Sequence, residues 1–113
     1  MKSSKSGVTV LQNAAEATGN GVSLLMDGFT YICVQTSGTF SATVTLEGTV
    51  NGSDWIEIGA TDLNATNHAT KVKGITGTGI YLLDHTGGLT SFRARISAYT
   101  SGNVTVHAQA FMG

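Results

Sequence analysis

A chain of 113 residues is one domain with room for a single modest core. Only 12% of its residues are charged and the formal net charge is −1, so it lacks the basic stripe of a general nucleic-acid binder. Thr, Ser, Asn and 15 glycines replace the charge, and proline is absent, a composition that suits short strands and tight turns.

The first 21 residues, "MKSSKSGVTVLQNAAEATGNG", hold no apolar run longer than "VTVL". A secretory core needs about 7–15 apolar residues and a membrane span about 20, so a soluble chain made in a cytoplasm is expected, with no membrane partner. Residues 1–7 read as a flexible hydrophilic arm of a single 1–113 domain. "VTVL" and "VSLLM" are predicted short strands, and "QNAAEATGNG" between them has room for one helical turn.

"FTYICVQTS" (29–37) puts Phe29, Tyr31, Cys33 and Gln35 on one face and Thr30, Ile32, Val34 and Thr36 on the other. Both faces are fairly apolar, which predicts an inner strand covered on two sides and a buried, inert Cys33. As the lone cysteine, Cys33 has no intramolecular disulfide partner. "TFSATVTLEGTV" (39–50) alternates cleanly, with Phe40, Ala42, Val44, Leu46 and Val50 expected inward and Ser41, Thr43, Thr45, Glu47 and Thr49 outward. Gly48 interrupts the inward set and marks a bulge or a close approach.

"NGSD" (51–54) is a turn, and "WIEIGA" (55–60) is the predicted return strand. Glu57 faces solvent there, which places Trp55 on the same outer side unless the strand twists. A tryptophan beside a turn is expected to cap one end of the core. The alternative is an exposed stacking platform for a sugar or base. Residues 61–79 are the least patterned, with one edge strand expected around "ATKVK", where Lys71 and Lys73 discourage edge-to-edge pairing.

"IYLLD" (80–84) is a short strand. "SFRARISAY" (91–99) comes next, with Phe92, Ala94, Ile96 and Ala98 inward and Arg93, Arg95, Ser97 and Tyr99 outward. "TSGN" turns the chain into "VTVHAQAF" (104–111). About eight strands with turn signals every eight to twelve residues predict an all-β antiparallel sandwich, jelly-roll-like.

Catalytic chemistry does not surface. The seven acids form no pair at recognisable spacing, and His68, His85 and His107 lie in separate segments without the clustered spacing of metal ligands. "GITGTG" is followed by a strand where a phosphate-binding loop needs a helix. No enzyme, metal or cofactor is expected.

Residues 39–63 and 79–110, "TFSATVTLEGTVNGSDWIEIGATDL" and "GIYLLDHTGGLTSFRARISAYTSGNVTVHAQA", resemble small all-β virion proteins of tailed bacteriophages. The "NGSDW" hairpin with "SFRARIS" is also similar, more weakly, to galactose-binding jelly rolls, without their disulfide-joined termini or loop length. The first resemblance implies a non-enzymatic virion protein, foremost a capsid decoration or cement protein. Such a protein would form a homo-oligomer, a trimer foremost, on the major capsid protein. Lys2 and Lys5 of the arm, Lys71 and Lys73 of the edge strand, and Phe111 and Met112 are the candidate partner contacts. The alternatives are a head–tail joining or tail component, or a carbohydrate- or receptor-binding tail module. In that last case Trp55 with Tyr81 or Tyr99 would stack on a glycan.

Overall fold

The computed structural model describes residues 5, 7–66 and 71–112, and all their regular structure is strand. In chain order these are β1 (Thr9–Ala15), β2 (Leu24–Leu25), β3 (Tyr31–Ser37), β4 (Phe40–Thr49), β5 (Ile56–Glu57) and β6 (Ala60–Asp62). After them come β7 (Lys71–Val72), β8 (Gly74–Ile75), β9 (Gly79–Leu83), β10 (Ser91–Gly102) and β11 (Val104–Phe111). All pairings are antiparallel. One sheet has six strands in the order β1-β11-β3-β9-β6-β7; the other runs β2-β10-β4-β5, with β8 also paired to β4. The expected antiparallel sandwich is present, with eleven strands where about eight were predicted. The surplus comes from residues 55–75. "WIEIGA" is not one return strand: β5 pairs with β4 in one sheet, and after Ile58 and Gly59 the chain crosses to the other sheet as β6.

Alternation on the long strands builds the core. Ile32, Val34, Val44, Leu46, Phe92, Ala94, Ile96, Val104 and Val106 meet between the sheets, each at most 1% exposed. Fully burying an aliphatic or aromatic side chain of this kind contributes about 2 kcal/mol, so this layer sets which face of each strand turns inward. The radius of gyration, 13.2 Å, matches the about 13 Å expected of one compact domain of this length.

Turns and irregularities reflect local chemistry. Asn51 Oδ1 accepts the N–H groups of Ser53 and Asp54, both at 2.8 Å, and Gly52 takes a positive φ of 82°. Gly48 sits at no register shift; it is a close approach, because a Cβ there would lie 2.7 Å from Leu89 Cδ1. Val50, expected inward, is 69% exposed because β4 ends at Thr49 and Val50 already belongs to the turn. In place of a helical turn, β1 continues to Ala15 with two register shifts. Its buried Gln12 reaches across to the other sheet, where Nε2 donates to the Ala94 carbonyl at 2.9 Å, and it also donates to the carbonyl of Gly19 in the β1–β2 connection at 3.2 Å.

β10 carries the change with most effect on the surface. Ile96 pairs with Val44 but Ala98 pairs with Thr43, so two steps on β10 match one on β4. The extra residue is Ser97, whose hydroxyl lies 2.7 Å from that of Thr45. A bulge of this kind reverses the facing of the residues beyond it on the strand. Ala98, expected inward, is exposed, while Tyr99, expected outward, packs against the core.

Candidate functional site

On the outer face of the five-stranded sheet, Glu47 lies directly between Arg93 of β10 and Glu57 of β5. Arg93 Nε donates to Glu47 Oε1 at 2.8 Å, and Arg95 Nε donates to Oε2 at 3.1 Å. One carboxylate thus serves two guanidiniums, and it is nearly out of water at 6% exposure. The two arginines also offset the like charge of Glu57 opposite, which alone would destabilise the pair. Arg93 stacks on Trp55, its guanidinium carbon 4.2 Å from the ring centroid. Trp55 therefore lies half-buried on the outer side, as its parity with Glu57 indicates, and not at the end of the core. One face of its ring is occupied by Arg93.

The three candidate aromatics for glycan stacking are not brought together. Tyr81 lies inward on β9, 7% exposed within the core, where burial and then the charge of Asp62 push its hydroxyl pKa up. Tyr99 donates its hydroxyl to the Gly102 carbonyl at 2.7 Å, at the opposite end of β10 from Arg93. Six residues of strand separate Arg93 from Tyr99, about 20 Å. Trp55 has no aromatic partner for a shared platform among these.

Of the candidate partner contacts, Lys2 lies outside the described residues, as does His68 among the histidines. Lys5 makes an isolated antiparallel bridge to Phe111, and the Phe111 ring stacks on Tyr31 with centroids 5.2 Å apart. Both are thus engaged within the chain, whereas Met112 is 42% exposed. Lys71 lies on the edge strand as expected; its Nζ donates to Thr61 Oγ1 at 2.8 Å and Asp84 Oδ1 at 3.3 Å. Burial pushes the Asp84 carboxyl up, but the hydrogen bond and charge of Lys71, with His85 nearby, outweigh it and hold the group below its usual range. Lys73 is exposed. Among the described residues, no group of three His, Cys, Asp or Glu side chains is placed to hold a metal ion.

The outer face of the six-stranded sheet differs from expectation most. β3 is an inner strand, flanked by β11 and β9, but only its Ile32, Val34 and Thr36 side is buried. Cys33 faces outward and is only partly buried, so the expected buried position is corrected; this partial burial still pushes its pKa up. Around it, Val8, Gln35, Ile80, His107 and Gln109 line a shallow depression of about 280 Å³. Val8, Val10 and Ile80 are 65%, 40% and 38% exposed. The apolar character of both faces of "FTYICVQTS" is real; among the described residues no second layer covers one of them.

A family model described as XepA matches residues 5–110. The chain belongs to the XepA family. No curated protein sequence matches it significantly. Among the solved structures that share the fold are two crystal structures of phage-related proteins. The SPBc2 prophage-derived protein YomS superposes with a TM-score of 0.82 at 17% identity, covering 94% of this chain and 91% of that one. The PBSX exported protein XepA gives a TM-score of 0.83 at 21% identity, covering 97% of this chain but 39% of that one. This XepA-family chain therefore spans about two-fifths of XepA and nearly all of YomS.

Two features of the XepA-family sandwich escape sequence reading. The Glu47–Arg93–Arg95 network unites residues 46 and 48 positions apart, and only their shared outward parity hints at it. The second is a recess at one mouth of the sandwich, where the β5–β6 crossing at Ile58 and Gly59 faces the 84–89 loop. No local pattern in residues 58–89 marks it.

Proposed function

We propose that this chain is a non-enzymatic structural protein of a phage, acting outside the cytoplasm by docking its sandwich on another protein. The carrying observation is the outer face of the six-stranded sheet, uncovered among the described residues, where Val8, Cys33 and Ile80 line a shallow depression and Val10 stands exposed beside it on the edge strand β1. Faces of this composition are normally covered, and exposed apolar patches mark interaction sites. Family membership supports the phage origin, and the words "prophage-derived" for YomS and "exported" for XepA support the location. Within this reading, a capsid decoration or cement protein, assembled as a homo-oligomer on the major capsid protein, is the specific form we propose.

The glycan-binding alternative has less support. Its tryptophan is stacked under Arg93, and its tyrosines lie in the core or at the far end of β10. Co-sedimentation with purified phage particles tests the proposal. The native chain is expected to pellet with the particles, and Ile80→Asp, altering an exposed side chain, to stay folded in the supernatant. Failure of the native chain to pellet, or equal pelleting by Ile80→Asp, would count against it. Glycan binding lost in a folded Trp55→Ala variant would favour the alternative.

A further inference from the structure

We propose that the recess at the mouth of the sandwich binds a small organic anion with an apolar body. It lies apart from the proposed docking face and does not depend on it. The recess forms where the chain crosses between sheets twice, at Ile58 and Gly59 and again through residues 84–89, and it measures about 350 Å³. That is the lower end of the about 300–1,000 Å³ typical of small-molecule pockets, so it suits a small ligand better than a polypeptide segment.

Its base is aliphatic and fixed. Leu83 is a core residue at 2% exposure, and Ile58 and Leu89 pack against the core beside Gly48. Its rim is polar and cationic: Lys71, Lys73 and His85 with the single acid Asp84. Asp84 is engaged by Lys71 at 3.3 Å, and the exposed His85 has Nε2 3.8 Å from the same oxygen. Among the described residues, no ion pair takes up Lys73. With His85 neutral, two lysines against one aspartate leave the rim one positive charge in excess. An aliphatic base favours an apolar body because it sheds water on binding. The surplus cation favours a carboxylate, sulfonate or phosphate ester at the entrance. A neutral sugar satisfies neither part, and a bare inorganic anion leaves the base wet.

Backbone amide shifts of ¹⁵N-labelled protein, titrated with 1-naphthoate at low ionic strength, test this. Saturable shifts are expected at Ile58, His85, Thr86 and Leu89, and inorganic phosphate alone should not produce them. Reversing a charge a few ångströms from the anion in a half-exposed site should weaken binding about tenfold, so Lys73→Glu should show that loss. Glu16→Lys, exposed at the opposite end of the sandwich beyond Ala15, should bind as the native chain does, and each variant's spectrum reports whether it is folded. Absent or non-saturating shifts, shifts centred on the Cys33 face, an equal response to phosphate, or unchanged affinity in folded Lys73→Glu would each overturn the proposal.

Discussion

Replacing Glu47 by glutamine removes the charge that two arginines share while keeping the side chain's shape. In the native chain the Glu47 side chain is 8% exposed, that of Arg93 15% and that of Arg95 36%. Breaking a fully buried ion pair from one side costs about 3–5 kcal/mol, because the remaining charge is left uncompensated, whereas exposed pairs contribute about 0–1 kcal/mol. The Glu47–Arg93 arm belongs near the first regime, and the Arg95 arm, a third open to water, near the second. Glu57 lies opposite Glu47 and supplies the arginines with some residual negative charge. Glu47→Gln is therefore expected to destabilise by about 2–3 kcal/mol, a melting-temperature loss of roughly 8–15 °C for a domain of this size. Urea denaturation with an unchanged m-value is the assay. The ordering is a second check: Arg93→Gln should cost more than Arg95→Gln, and a double-mutant cycle should show coupling of Glu47 to Arg93. A loss under about 0.5 kcal/mol for Glu47→Gln, or a larger cost at Arg95, would show the network to be screened like an ordinary surface pair.

Gly48→Ala should destabilise by about 1–2 kcal/mol, measured by the same denaturation, because its Cβ would meet Leu89 Cδ1 at 2.7 Å. Gly102→Ala should cost at least about 2 kcal/mol, because Gly102 has a φ of 85° and a Cβ there collides with the Thr39 carbonyl. Cys33 should react with a disulfide reagent such as DTNB in the folded protein, since it faces the outer surface, but more slowly at pH 8 than a free thiol, because burial raises its pKa. Complete protection until global unfolding would return Cys33 to the core.

How much of this fold is legible in the sequence depends on whether one strand or two decide the outcome. Period two alone assigns the inward Val44, Leu46, Phe92, Ala94 and Ile96, all nearly or fully buried. The same rule fails at Ala98 and Tyr99, because the bulge at Ser97 arises from pairing with β4, about fifty positions away. It fails at Ile56 too, which is 65% exposed: β5 is an edge strand of two residues, and no second layer covers that side chain. "WIEIGA" reads as one strand because nothing local announces the crossing between sheets at Ile58 and Gly59. Both faces of β3 are apolar, as its sequence indicates, but sequence does not distinguish cover by the same chain from cover by another. Parity places the outward residues Trp55, Arg93 and Glu47 on the right side, while their convergence needs the register of β4 against β5 and β10.

The most direct measurement of whether the chain works by being docked is a cryo-electron microscopy map of the assembled phage particle. Density for this sandwich is expected on the particle, with the Val10, Cys33 and Ile80 face against a neighbouring protein and the Trp55–Arg93 face turned away. A particle lacking the chain, or one presenting that apolar face to solvent, would contradict it.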